Sequence, residues 1–148
     1  MIPGLEDLLK SYLSLMNEFD NEEIVDAFEN IMIIFADHIK PYALDICKHL
    51  KEQYIRCMNQ DQGNSDEYDA SIMTAIASLT SMRRILDVVQ KDSNLIHQIE
   101  ECMMPCLQYT LTDKGVDSIE EGLDCITQIL YYGYKDRPIT TEMWKFLP

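Results

Sequence analysis

The stretch IVDAFENIMIIFADHIKPYALDICKHLKEQYIRC, residues 24–57, decides the fold. Its first half carries Ile24, Phe28, Ile31, Met32 and Phe35 at steps of three and four residues. That spacing lines one face of an α-helix, whereas a half-buried strand needs alternation. Its second half places Ala43, Ile46, Cys47, Leu50, Tyr54 and Cys57 on one helical face and Asp45, Lys48, His49 and Glu52 on the other. Between the halves stands Lys40-Pro41. Proline lacks an amide hydrogen, disfavours helix in the residue before it and suits a first turn, so this pair marks a corner opening a new helix. Upstream, Asn21 precedes Glu22 and Glu23, a cap followed by carboxylates that complement the helix dipole.

The same period extends in both directions. Leu5, Leu8, Leu9, Tyr12, Leu13 and Met16 form an earlier stripe, separated by the Asp20-Asn21 break. From Asn59 to Asp69 the pattern stops around Gly63, in a composition that reads as an exposed acidic loop. A fourth helix is expected over Ala70 to Lys91 on Ile72, Ile76, Leu79, Met82, Leu86 and Val89, ending at Asp92-Ser93-Asn94. A fifth carries Leu95, Ile99, Cys102, Met103, Cys106 and Leu107, with Pro105 expected to kink it or mark a late start. After Gly115, Ile119, Leu123, Ile126 and Leu130 form a sixth that ends near Gly133; Pro138 and Thr140-Thr141-Glu142 then open a seventh. The class is all-α.

The helices repeat in pairs. The stripe starting at Ile24 recurs at Ile72 and Ile119, spacings of 48 and 47 residues, close to the roughly 40–47 residues of HEAT and armadillo units. The expected architecture is an α–α superhelix, a HEAT-repeat solenoid of about three pairs. Residues 1–19 read as the second helix of a preceding repeat, 20–59 as a repeat, 60–69 as the acidic loop, 70–114 as a repeat and 116–148 as an incomplete one. Solenoid ends need polar outer faces. Here the terminal helices carry apolar stripes, which reads as a block with uncapped ends from a longer protein.

Composition narrows the function. Of 148 residues, 26 are Asp or Glu and 12 are Lys or Arg, giving a net charge of −14. Such a chain repels phosphate, which argues against direct nucleic-acid binding and for basic partners. Ala70 to Met82, the longest stretch without charge, is too short and polar to cross a bilayer. Cys47, Cys57, Cys102, Cys106 and Cys125 lie within apolar stripes and read as reduced thiols used as small hydrophobes rather than zinc ligands. His38, His49 and His97 have no spacing to a nucleophile that suggests catalysis, and the single glycines form no nucleotide fingerprint. No enzymatic role and no cofactor is expected.

Two segments carry a resemblance. Ile39 to Leu50, continuing to Gln53-Tyr54, resembles the second-helix pattern of nuclear import receptors. The tail Ile139-Thr140-Thr141-Glu142-Met143-Trp144-Lys145-Phe146-Leu147-Pro148 is similar to the Met-Trp-x-x-Leu-Pro run of importins seven and eight and their fungal counterparts, a branch of the importin-β superfamily. This resemblance implies a receptor shuttling between nucleus and cytoplasm, binding cargo, touching phenylalanine-glycine nucleoporins and releasing cargo to the GTPase Ran. It places the main Ran site outside this block. If second helices line the concave surface, as the resemblance implies, Glu6, Asp7, Asp45, Glu52, Glu100 and Glu101 face basic cargo. The loop residues Asp61, Asp66, Glu67 and Asp69 are further candidates for a basic ligand. All of these also read as solvated helix faces. A HEAT scaffold organising another complex is the alternative reading.

Overall fold

A computed structural model describes residues 3–19, 21–59 and 65–145. Among the described residues eight α-helices follow one another: α1 (Leu5–Glu18), α2 (Glu22–Ile34), α3 (Ala36–Ile39), α4 (Ala43–Met58), α5 (Ser65–Val88), α6 (Ser93–Thr110), α7 (Ile119–Gly133) and α8 (Thr141–Trp144). No strand occurs among the described residues. Local chemistry sets several starts. Asn21 accepts from the Glu23 amide at 2.8 Å, Asp92 from Leu95 at 3.1 Å, and Thr140 from Met143 at 3.3 Å, each satisfying an N–H that a helix start leaves unpaired. The Lys40-Pro41 corner is a short 3-10 turn, Lys40–Tyr42, between α3 and α4.

Two expectations change. The acidic loop is shorter than its composition suggests, because α5 begins at Ser65 and takes Asp66, Glu67 and Asp69 into its opening turns. Carboxylates near a helix start are stabilised by the dipole, so a polar run that reads as loop can equally open a helix. Second, of the two expectations for Pro105 the late start is excluded, because α6 runs from Ser93 through Pro105 to Thr110. Pro105 is exposed, so the carbonyl deprived of a partner lies on the wet side of the helix, where the loss is least costly.

The helices stack in two layers. In one, α1, α4 and α6 run the same way: the Met16 carbonyl at the end of α1 accepts from Gln53 at 3.0 Å and Arg56 at 2.8 Å, and Tyr109 late in α6 donates to the Met58 carbonyl at 3.2 Å. In the other, α2, α5 and α7 are joined by Arg84–Glu29 at 2.8 Å, Arg83–Asp124 at 3.3 Å and Tyr132–Asp87 at 3.0 Å. Between the layers lies a core including Phe28, Met32, Ile46, Leu50, Tyr54, Leu79, Met82, Ile85 and Ile99. The arrangement is a HEAT-like helical stack. Its most extensive packing joins α4 to α5 and α6 to α7.

Candidate interaction surfaces

The cargo-facing candidates lie on the α1–α4–α6 layer. Glu6, Asp7, Asp45, Glu52 and Glu101 are exposed, but cations interleave with them. Glu6 pairs with Lys10 at 2.6 Å, and Asp45 stands 4.0 Å from Lys48. Glu100 is a correction: it is only 4% exposed and accepts hydrogen bonds inside the protein from Tyr134 at 2.7 and 2.8 Å. Its place, four residues after Ile96 and three before Met103, belongs to the buried stripe, and the charge of its side chain concealed that register. Asp61 lies outside the described residues. Asp66, Glu67 and Asp69 are exposed on α5.

The larger acidic excess sits on the other layer. Glu23, Asp26, Asp66, Glu67, Asp69, Glu120, Glu121 and Asp124 occupy α2, α5 and α7, whose only cationic residues are Arg83 and Arg84. Both arginines are engaged, with Asp124 and Glu29 respectively. The three helices run in parallel, and the pairings of Glu29 with Arg84 and of Asp124 with Arg83 set the acidic starts of α2 and α7 level with the middle of α5, whose own acidic start projects beyond them. Each helix gains from carboxylates at its positive end, and the layer as a whole carries an excess of negative charge.

A groove separates α2 and α3 from the second half of α5. Its volume is about 320 Å3, with Met32, Ile33, Ala36, Asp37, Arg84, Asp87 and Val88 as its lining. Ile33 is 52% exposed, and its neighbour Ile34 is 73% exposed. The groove continues past Ala36, Asp37 and Val88 into a polar basin of about 350 Å3 that includes Lys40, Lys91 and Asp92, where Lys40 pairs with Asp92 at 3.0 Å. Sequence reading missed the groove because it assigned Met32 and Val89 to stripes without showing which neighbours leave space between them. An apolar side chain fits such walls.

Among the described residues no group of three or more His, Cys, Asp or Glu is arranged to hold a metal ion. Burial raises the Cys47 thiol well above its ordinary range and pushes Cys106 and Cys125 up to about 12, which keeps them protonated and unreactive. Among the described residues no helix is long and apolar enough to cross a membrane.

The chain is 32% identical over 146 residues to an importin beta-like SAD2 homolog of Arabidopsis thaliana, covering 99% of the chain and 14% of that protein. It is 29% identical over 146 residues to a probable importin-7 homolog of Dictyostelium discoideum, covering 99% of the chain and 13% of that protein. The chain belongs to the importin-β superfamily. It spans about one seventh of the length of these importin relatives. No family model and no solved structure matches it. In this helix stack the first resembling segment runs through α3 and the 3-10 turn into α4, and the second includes α8.

Proposed function

We propose that the chain is part of a nuclear import receptor that carries protein cargo through the nuclear pore, moving between cytoplasm and nucleus in a Ran-dependent cycle. One observation carries the reading: 99% of the chain matches proteins named as importins. The helix stack supplies the extended scaffold that such binding needs. No catalytic step is involved, and Ran acts through parts of the receptor outside this chain.

Two finer assignments complete the proposal. The groove between α2–α3 and α5 receives a phenylalanine of the phenylalanine-glycine nucleoporins, because Met32, Ile33, Ala36 and Val88 give it apolar walls. The acidic excess of the α2–α5–α7 layer, together with exposed Glu6, Asp7, Asp45, Glu52 and Glu101, draws basic cargo towards the stack. Such attraction acts over about a Debye length, raises association rates and fades with salt.

The test is to titrate the complete receptor carrying this chain with a basic protein, with and without Ran bound to GTP, at low and high salt. The expected result is a complex that Ran·GTP weakens and that loses affinity as salt rises. A stoichiometric complex indifferent to Ran and to salt overturns the transport reading and favours a static scaffold.

A further inference from the structure

A carboxylate at 4% exposure must satisfy its oxygens within the protein. Glu100 does so with His97 of its own helix, α6, and with Tyr134 and Thr140 of the chain that follows α7. The Tyr134 hydroxyl donates to it, 2.7 Å from Oε1 and 2.8 Å from Oε2. Thr140 Oγ1 stands 3.5 Å from Oε1, and His97 Nδ1 stands 3.1 Å from Oε2. The other ring nitrogen, His97 Nε2, is 2.9 Å from the Gly133 carbonyl oxygen. A carbonyl only accepts, so Nε2 carries a hydrogen. Without a second proton, the Nδ1 lone pair would then face a carboxylate oxygen. The 3.1 Å approach therefore holds one proton, on the imidazole or on the carboxyl.

These contacts fasten α8 to the stack. Tyr134 follows α7 and stands edge-on to the His97 ring, with centroids 4.9 Å apart. Thr140 caps α8 and lies 3.2 Å from the Tyr134 hydroxyl. Gly133 permits the approach, since a Cβ there would come within 2.9 Å of Ile96 Cγ2.

We propose that the His97–Glu100–Tyr134 cluster is a protonation-controlled latch that sets the direction in which the segment carrying α8 leaves the helix stack. In stacks of helix pairs, small rotations between units set the curvature of the whole. The inference rests on the helix stack and not on the cargo or pore assignments. With the shared proton present, the carboxylate is tied down and α8 is docked with Met143 buried. Its loss leaves two acceptors facing each other; His97 and Glu100 move apart, and because the ring holds the Gly133 carbonyl and the carboxylate holds Tyr134 and Thr140, the segment that carries α8 is loosened.

The charged and titratable groups around the cluster are engaged elsewhere or exposed. Burial pushes the Tyr134 phenol up to about 12, so it stays a donor. On the α4 side, Lys48, Lys51 and Glu52 act on Cys102. Beyond α7, Arg137 engages Asn94, and Asp87 of α5 accepts from Tyr132. On α8, Glu142 is exposed.

Trp144, the single tryptophan, lies in α8 and reports on it directly. Trp144 anisotropy and amide hydrogen exchange over residues 134–145 are followed from about pH 5.5 to pH 8.5, the range in which a histidine proton is lost. After correction for intrinsic rates, exchange in this segment is expected to rise about tenfold with pH, the effect of losing one charge-assisted hydrogen bond, while core amides of α4 and α5 stay protected. In Glu100→Gln the new amide donates to His97 Nδ1 and its carbonyl accepts from Tyr134, so no extra proton is needed and exchange is expected to be flat. Pronounced pH dependence in Glu100→Gln, or none in the natural chain, overturns the latch. If Glu100→Gln does not fold, His97→Gln decides, since removing the ring must also abolish the pH dependence.

Discussion

Replacing Tyr54 with phenylalanine removes one oxygen from the interior and nothing else. Tyr54 is fully buried in α4; its hydroxyl lies 2.8 Å from Ser118 Oγ, just before α7, and its ring meets Tyr109 of α6 edge-on at 6.1 Å. The hydroxyl thus links elements 64 residues apart. Ser118 keeps its bond to the Gly115 carbonyl at 3.1 Å, so the variant loses one buried hydrogen bond without orphaning a donor. The expected cost is about 1–1.5 kcal/mol. With a urea slope of about 2 kcal/mol/M, the unfolding midpoint falls by about 0.5–0.75 M. Tyr54→Ala, which also opens a cavity, is expected to cost about 3–5 kcal/mol. A double-mutant cycle with Ser118→Ala should give a coupling of about 1 kcal/mol. Burial raises the phenol to about 12 in the folded protein, so its contribution is complete below the ordinary value of 10.0 and is lost only at higher pH. The midpoint difference should therefore be constant from about pH 6 to pH 9. A midpoint unchanged in Tyr54→Phe, or a coupling of zero, refutes the link between the layers.

Three further outcomes follow from the packing. Gly122→Ala places a Cβ 2.4 Å from Thr110 Oγ1 and 2.8 Å from its Cβ; since Thr110 is fully buried, a loss of about 1–3 kcal/mol in urea unfolding is expected. Asp92→Ala removes the α6 cap and should cost about 1 kcal/mol. The hydrogen bond from Lys40, and then that from the Leu95 amide, hold the Asp92 carboxyl below its ordinary 3.8; its contribution is therefore present above that value and lost as pH falls through the folded one, so acid titration of stability should be shallower in the variant. In the native protein, iodoacetamide followed by mass spectrometry should label half-buried Cys102 before Cys47, Cys106 and Cys125, which react on unfolding.

Residues that repeat at helical spacing were legible as they stand. Leu5, Leu9, Leu13 and Met16, or Ile46, Leu50 and Tyr54, announce a buried face because burial and period are the same physical fact. Residues whose chemistry and position disagree were not. Glu100 looks like surface from its charge and lies inside because Tyr134, His97 and Thr140 come to it from 34, 3 and 40 residues away. Asp66, Glu67 and Asp69 look like loop because polarity suits both a loop and a helix start. The groove was invisible, since Ile33 and Val88 meet only when α2 and α5 lie side by side. The layer that collects acidic charge became evident only when the shared direction of α2, α5 and α7 was known.

Passage through the pore tests the central claim most directly. The complete receptor carrying this chain, fluorescently labelled, is added to permeabilised cells beside an inert protein of equal mass, and a second sample carries Ile33→Asp in the groove. A transport receptor is expected to enter nuclei much faster than the inert protein, with the groove variant slowed and its folding unchanged. Exclusion of the natural receptor at the rate of the inert protein would contradict the account.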